Sequence, residues 1–206
     1  MSNMLQRRTM ALERTLKLLT DDSSKDPDAQ WKAAIELGAI TSLNDKSRAA
    51  LALREVLAAG QAHALIRAHA VESLGRLGLR SSIPPLIESL TDSYRLVRSY
   101  AVAALGAIGD RRAVEPLLAA LRHDDFFGVR AEAVKTLVDL TARGRDPALR
   151  RRVFKEITRA RLKEESKNLK GRERVLAELD RAAARLGPRA TTRQHGQTRR
   201  SDRRPS

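Results

Sequence analysis

Three segments of this chain repeat one another. Arg67, Arg98 and Arg130 are each followed by an alanine three residues later and a leucine seven residues later: Ala70 and Leu74, Ala101 and Leu105, Ala133 and Leu137. The arginine steps are 31 and 32 residues. A second series, Pro85, Pro116 and Pro147, recurs every 31 residues, about half a period out of phase with the first. Self-similarity at this period marks stacked supersecondary units, each too small to bury its own apolar face. Such a chain has its fold written in the repeat, and its function must be sought on its surfaces.

Each copy predicts two antiparallel helices. In VRSYAVAALGAIGD the apolar Val97, Ala101, Leu105 and Ile108 fall at the three-to-four spacing of one buried stripe, and Gly109 supplies a residue able to take positive φ where the helix stops. The second helix starts around its proline, tolerated in a first turn because that N–H has no helical partner to lose. It carries Val114, Leu117, Leu118 and Leu121, mirrored by Ile83, Leu86, Ile87 and Leu90. Upstream, Leu5 to Leu19 reads as a helix ended by DDSSKDPD, and Asn44 to Ala59 as another. Between them Asp28 to Ile40 is a degenerate first copy, its Ala33, Leu37 and Gly38 matching Ala70, Leu74 and Gly75 at a step of 37. Downstream, Pro147 to Leu169 reads as one long helix and Gly171 as its end. A last helix with Val175, Leu179 and Leu186 closes the stack.

The 206 residues are 42% hydrophobic, enough for a sizeable core. No apolar run approaches the roughly 20 residues of a membrane span. The N-terminal MSNMLQRRTMALERTLKLLTDD is broken by charges where a signal peptide would be apolar, and its acids argue against a transit peptide, so a cytoplasmic location is expected. There is no cysteine, which removes disulfides and thiolate metal sites. The net charge of +15 is segregated: Met1 to Ala142 holds 19 Lys/Arg against 17 Asp/Glu, and Arg143 to Ser206 holds 21 against 8. Two roles in one polypeptide are the natural reading of that asymmetry.

The runs LIRAHAVESLGRLG, RLVRSYAVAALGAIGDRRAVEPLLAAL and FGVRAEAVKTLVDL resemble HEAT-type repeats, specifically the short bacterial and archaeal kind named after phycobilisome (bilin) lyase subunits. The resemblance covers roughly Asp28 to Ala160. It implies an all-α solenoid of about four stacked antiparallel helix pairs with capping helices. The expected divisions are an N-terminal capping helix and linker (1–26), the repeat solenoid (27–170), a C-terminal capping helix (171–187) and a disordered basic tail (188–206). The resemblance also implies an Asp–Arg ladder tying neighbouring units together, built here from Asp92, Arg98, Asp124 and Arg130, with Gln61 at the aspartate's place before Arg67. For function it is broad, since the superfamily holds scaffolds, assembly factors, chromophore lyases, hydroxylases and DNA-repair proteins.

Catalytic chemistry finds little footing in the residues. His63, His69, His123 and His195 form no i, i+4 pair, and none is followed by a glutamate. HEAT-repeat di-iron hydroxylases carry such His-Glu pairs, whereas here His69 is followed by Ala70. Gly75–Gly78 and Gly106–Gly109 have GxxG spacing but follow no strand and precede no Lys-Ser/Thr, so they read as helix ends and close packing, not a phosphate cradle. Asp21–Asp22 and Asp124–Asp125 read as capping acids. With 3% aromatic residues, base-stacking platforms are few, and Phe126–Phe127 reads as packing.

The function expected is therefore a non-enzymatic scaffold or assembly factor without cofactor or metal. It would bind another protein on the inner face of the solenoid, made by the second helix of each pair, through Glu88, Arg112, Glu115 and Arg122, which point away from the apolar stripe. The alternative is a nucleic-acid- or polyanion-associated protein using Arg150, Arg151, Arg152, Arg159, Arg161, Lys163, Lys167 and Lys170 with the tail, since clustered cations gain counterion-release energy on any dense polyanion. The resemblance adds a third possibility, a bilin-lyase-like chromophore-handling subunit.

Overall fold

The computed structural model describes residues 2–20, 26–59, 62–144, 146–165 and 172–187. Among them the chain is helical throughout, with no strand: α1 (Ser2–Thr20), α2 (Pro27–Gly38), α3 (Leu43–Ala59), α4 (Ala64–Leu77), α5 (Ile83–Glu88), α6 (Arg95–Ile108), α7 (Val114–His123), α8 (Phe127–Gly144), α9 (Pro147–Glu165) and α10 (Arg172–Leu186). Short 3-10 turns precede α5 and α7, and another follows α5. The expected long helix from Pro147 is seen to Glu165. Leu169 and Gly171, like the tail from 188 onward, lie outside the described residues.

Local signals set the helix ends. Two Asp-Pro pairs start helices in the same way: the Asp26 carboxylate accepts the N–H groups of Asp28 (3.0 Å) and Ala29 (3.2 Å), and that of Asp146 accepts those of Ala148 (2.8 Å) and Leu149 (3.1 Å). Each such cap contributes about 1 kcal/mol. Gly78 and Gly109 end α4 and α6 at φ +71° and +74°, a conformation costly for any residue with a Cβ.

The helices alternate between two layers. α2, α4, α6, α8 and α10 pack side by side in one, and α1, α3, α5, α7 and α9 form the other. The two layers combine as five hairpins, α1–α2, α3–α4, α5–α6, α7–α8 and α9–α10. The pairing differs from the phase in which the sequence repeats: each proline helix packs chiefly on the arginine helix that follows it, not on the one before. The cause is the turn. Asp92 accepts the N–H of Tyr94 and Asp124 that of Phe126, both at 2.8 Å, and these Asx turns fold α5 onto α6 and α7 onto α8. One continuous core runs from Leu12 to Leu186, with Leu74, Leu105 and Leu137 buried as their phase predicts. Val175, Leu179 and Leu186 are buried against its far end.

The first layer is drawn together where a side chain is missing. A Cβ placed on Gly75 of α4 would lie 2.6 Å from Ala104 Cβ and 2.7 Å from Ala104 Cα of α6, so the two backbones meet there. The expectation that these glycine pairs terminate and pack helices is met at both kinds of position, Gly78 and Gly109 as ends and Gly75 as a contact.

Candidate partner-binding face

The outward side of the second layer is where the charged candidates fall. On α5 Glu88 is exposed, and on α7 Glu115 and Arg122 are exposed on either side of Ala119. These do not stand alone. Arg152 of α9 pairs with Glu115 at 2.7 Å, Arg122 lies 3.7 Å from Glu156 of α9, and Arg159 pairs with the same Glu156 at 2.7 Å. The row therefore continues from α7 onto α9, braced by ion pairs whose arginines are all more than two-fifths exposed. Such exposed pairs are individually worth about 1 kcal/mol or less. Arg112 sits apart, in the turn before α7, held by Asp110 (3.1 Å) and by the carbonyl of Arg80 (3.4 Å).

Beneath this face run the repeated arginines. Arg67 donates two hydrogen bonds to Asp92 (2.7 and 2.9 Å), and Arg98 does the same to Asp124 (2.8 and 3.0 Å) while also pairing with Asp125. The remaining donor of each fork reaches a backbone carbonyl of its own copy: Arg67 that of Ala62, Arg98 that of Asp92, Arg130 that of Asp124. The ladder exists, but each aspartate serves the arginine of the preceding copy with its carboxylate and that of its own copy with its carbonyl. The third rung changes partner. Arg130 pairs with Glu164 of α9 at 2.6 Å, with both side chains only 4% exposed. Apart from the Arg130 Nε–H, which is buried without an acceptor, these groups are taken up by one another and by backbone carbonyls, which makes the row a fastening between hairpins and not an open anion site.

The ladder shifts the acids in a direction with consequences for stability. Burial pushes the Asp92 carboxyl up, but the hydrogen bonds from Arg67 and the Tyr94 N–H, with the charges of Arg67 and Arg98, outweigh it and hold it below the ordinary carboxylate value. Asp146 is lowered by the Leu149 N–H, Arg111 and the Ala148 N–H, and Asp110 by Arg112. A carboxyl depressed in the folded state contributes stability above its unfolded value, near 3.9, and loses it as pH falls through the folded value. The unfolding midpoint should therefore be flat at neutral pH and drop below about pH 4. Asp92→Asn should lower the neutral-pH midpoint and make the acid branch shallower. Thermal unfolding followed across pH checks this, and parallel acid branches would refute it.

The cationic residues of the C-terminal third divide by task. Arg150 is turned inward, donating to the carbonyls of Leu186 (3.0 Å), Arg185 (2.8 Å) and Gly187 (3.2 Å), and so caps the C-terminus of α10. Arg161 pairs with Asp180 of α10. Arg151, Arg152, Arg159 and Lys163 are exposed on α9, while Lys167 and Lys170 lie outside the described residues. Arg151 makes no ion pair or hydrogen bond with a described residue, and the same holds for Lys155, one turn further on and absent from the cluster the sequence suggested.

Other sites considered in the sequence fall into structural roles. His63 accepts the Leu65 N–H at the start of α4, and His69 lies 3.2 Å from Glu72 between the rings of Trp31 and Tyr100. Among the described residues no group of three His, Cys, Asp or Glu could hold a metal ion, and no helix is long and apolar enough to cross a membrane. Phe126 and Phe127 contact each other at 4.8 Å and pack on the core, with Arg95 over the Phe126 ring. A cleft of about 550 Å³ between the ends of α8, α9 and α10 is lined by Thr141, Asp146, Arg150 and Arg185, but Asp146 and Arg150 there are occupied as caps.

Comparison with known proteins agrees with the stack. The family profile described as HEAT repeats matches residues 52–138. Among solved structures, the crystal structure of an engineered protein superposes with a TM-score of 0.51 at 23% identity, over 85% of this chain and 79% of that one. At that identity the likeness is one of fold. No curated protein matches the chain.

Proposed function

We propose that this HEAT-like solenoid is a non-enzymatic interaction scaffold that holds a protein partner on the outward side of its second layer, along α3, α5, α7 and α9. The observation that carries the reading is the row of exposed charges running from Glu88 through Glu115 and Arg122 to Arg152 and Arg159, on helices whose inner sides are wholly occupied by the core. Stacked hairpins fix the backbones that carry these groups and ion pairs already hold several of the side chains, so a partner meets a partly preorganised surface and less side-chain freedom is lost on binding. The similarity to HEAT repeats supports the same role.

Site-specific photocrosslinking in the native host tests it. A photoreactive residue at Ala119, exposed on α7, should trap a discrete protein adduct, and one at Ala103, exposed on α6 in the other layer, should not. Adducts at both positions alike, or at Ala103 alone, would place the contact elsewhere.

A further inference from the structure

The second layer is not chemically uniform along the stack. At its α3 end two leucines face solvent, Leu43 at 71% and Leu51 at 54% exposure, two turns apart on one side of the helix with Ser47 on the turn between them and the exposed Arg48 beside it. At its α9 end the outward stripe is Arg151, Arg152, Lys155 and Arg159. We propose that this face takes an acidic polypeptide segment that ends in a bulky apolar side chain, its apolar end on the α3 leucines and its acidic residues on the α9 cations. The proposal deepens the scaffold reading and rests on it.

Each part of the occupant follows from a part of the surface. Scattered exposed leucines need no explanation, but two in line on one helical stripe, with the uncharged Ser47 on the turn between them and Arg48 at its edge, form an apolar contact that an aliphatic or aromatic side chain would cover. At the other end, Arg151 and Lys155 have no described partner, and the exposed pairs of Arg152 and Arg159 are weak enough for an incoming carboxylate to displace. The sequence beyond Gly187 adds Arg189, Arg193, Arg199, Arg200, Arg203 and Arg204 against one acid, Asp202. That charge starts from the residue whose carbonyl Arg150 of α9 holds, so it is tethered at the basic end. From α3 to α9 are three interhelix steps of about 8–10 Å, a distance that roughly eight extended residues cover.

A nucleic acid fits the same surface less well. No aromatic residue on α3, α5 or α7 offers a base a stacking surface. The leucines would contact nothing in a phosphodiester.

The test uses the full chain and three fluorescent probes at low ionic strength: a peptide of two leucines followed by alternating glycine and glutamate, the same peptide with serines for leucines, and a short DNA duplex. The leucine peptide should bind most tightly by anisotropy. Arg151→Glu with Lys155→Glu should weaken it about tenfold, two exposed attractions having become repulsions. Leu51→Ser should weaken the leucine peptide several-fold and leave the serine peptide unchanged. All three substituted positions are exposed, with no side-chain ion pair or hydrogen bond among the described residues, and an acid at 151 suits the N-terminal part of a helix, so unchanged thermal midpoints certify the folds. Equal binding of the leucine peptide by the doubly reversed variant overturns the proposal. So does tighter binding of the duplex, lost on the same reversals, which would assign the row to nucleic acid. If the peptide fails while crosslinking through Ala119 persists, the acidic assignment falls and the scaffold remains; loss of crosslinking itself removes the scaffold.

Discussion

Leu105→Asp is expected to lower the unfolding midpoint of the whole stack by roughly 10–20 °C, the largest single effect on stability foreseen here. Leu105 is 1% exposed in the last turn of α6, the middle helix of its layer, between the equally buried Leu74 and Leu137 of the flanking copies. The change removes a large apolar side chain and leaves a carboxylate without a partner, together about 5 kcal/mol or more. A hairpin in a linear stack is stabilised only by its immediate neighbours, so a defect in α6 also withdraws support from α4 and α8. Ala103→Asp, exposed on the same helix, controls for helix propensity and charge. Circular dichroism at increasing temperature reads both, and a Leu105→Asp midpoint no lower than that of the control would show that the buried phase is misassigned.

The second large effect belongs to the buried pair at the end of the ladder. Arg130→Met should cost about 3–5 kcal/mol, because it leaves the Glu164 carboxylate buried without its cation, and Glu164→Met should cost a similar amount for the converse reason. Together the two substitutions should recover much of the loss, since methionines fill the space without a charge to desolvate. Recovery will be incomplete. Arg130 also donates to the carbonyls of Asp124 (2.9 Å) and Asp125 (3.2 Å), which the double variant leaves without that donor. A double-mutant cycle in denaturant should give a coupling of roughly 2 kcal/mol or more. Simple addition of the two single losses would mean that the pair is not energetically linked.

The residues differ in how far the sequence disclosed them. Leu74, Leu105 and Leu137 could be placed in the core, and Gly78 and Gly109 at helix ends, because repeat phase and positive φ are local requirements that each copy states again. The hairpin pairing could not be read from phase. A repeating pattern is the same whether a unit is cut before or after the proline helix, and only the Asx turns at Asp92 and Asp124 decide which neighbour that helix folds onto. Arg67 stood in phase with Arg98 and Arg130, but Gln61 at the aspartate's place left it out of the expected ladder, and its acid, Asp92, lies a copy ahead. Glu164 had no signal at all, being 34 residues from Arg130 where the regular rungs span 25 and 26. On the candidate face, Glu115 and Arg122 were legible as outward residues of an amphipathic helix. Arg150 was not legible as a cap, because its acceptors are backbone carbonyls more than 30 residues away and carry no side-chain identity to recognise.

The rungs also grade the molecule from one end to the other. They fasten α4 to the turn before α6, α6 to the turn before α8, and α8 to α9. Between the first hairpin and the second, the described residues show the exposed Glu13–Arg48 pair, the Trp31–His69 ring contact and the close approach of Gly38 to Ser73, but no buried arginine–carboxylate rung. A row of links of unequal strength opens from its weakest member, so amide protons of α1 and α2 should exchange through a local opening that leaves the later hairpins closed. The solenoid is then a rigid block with a loosely latched first unit, and its earliest point of attack by a protease, or of rearrangement by a partner, lies at the end farthest from its positive charge.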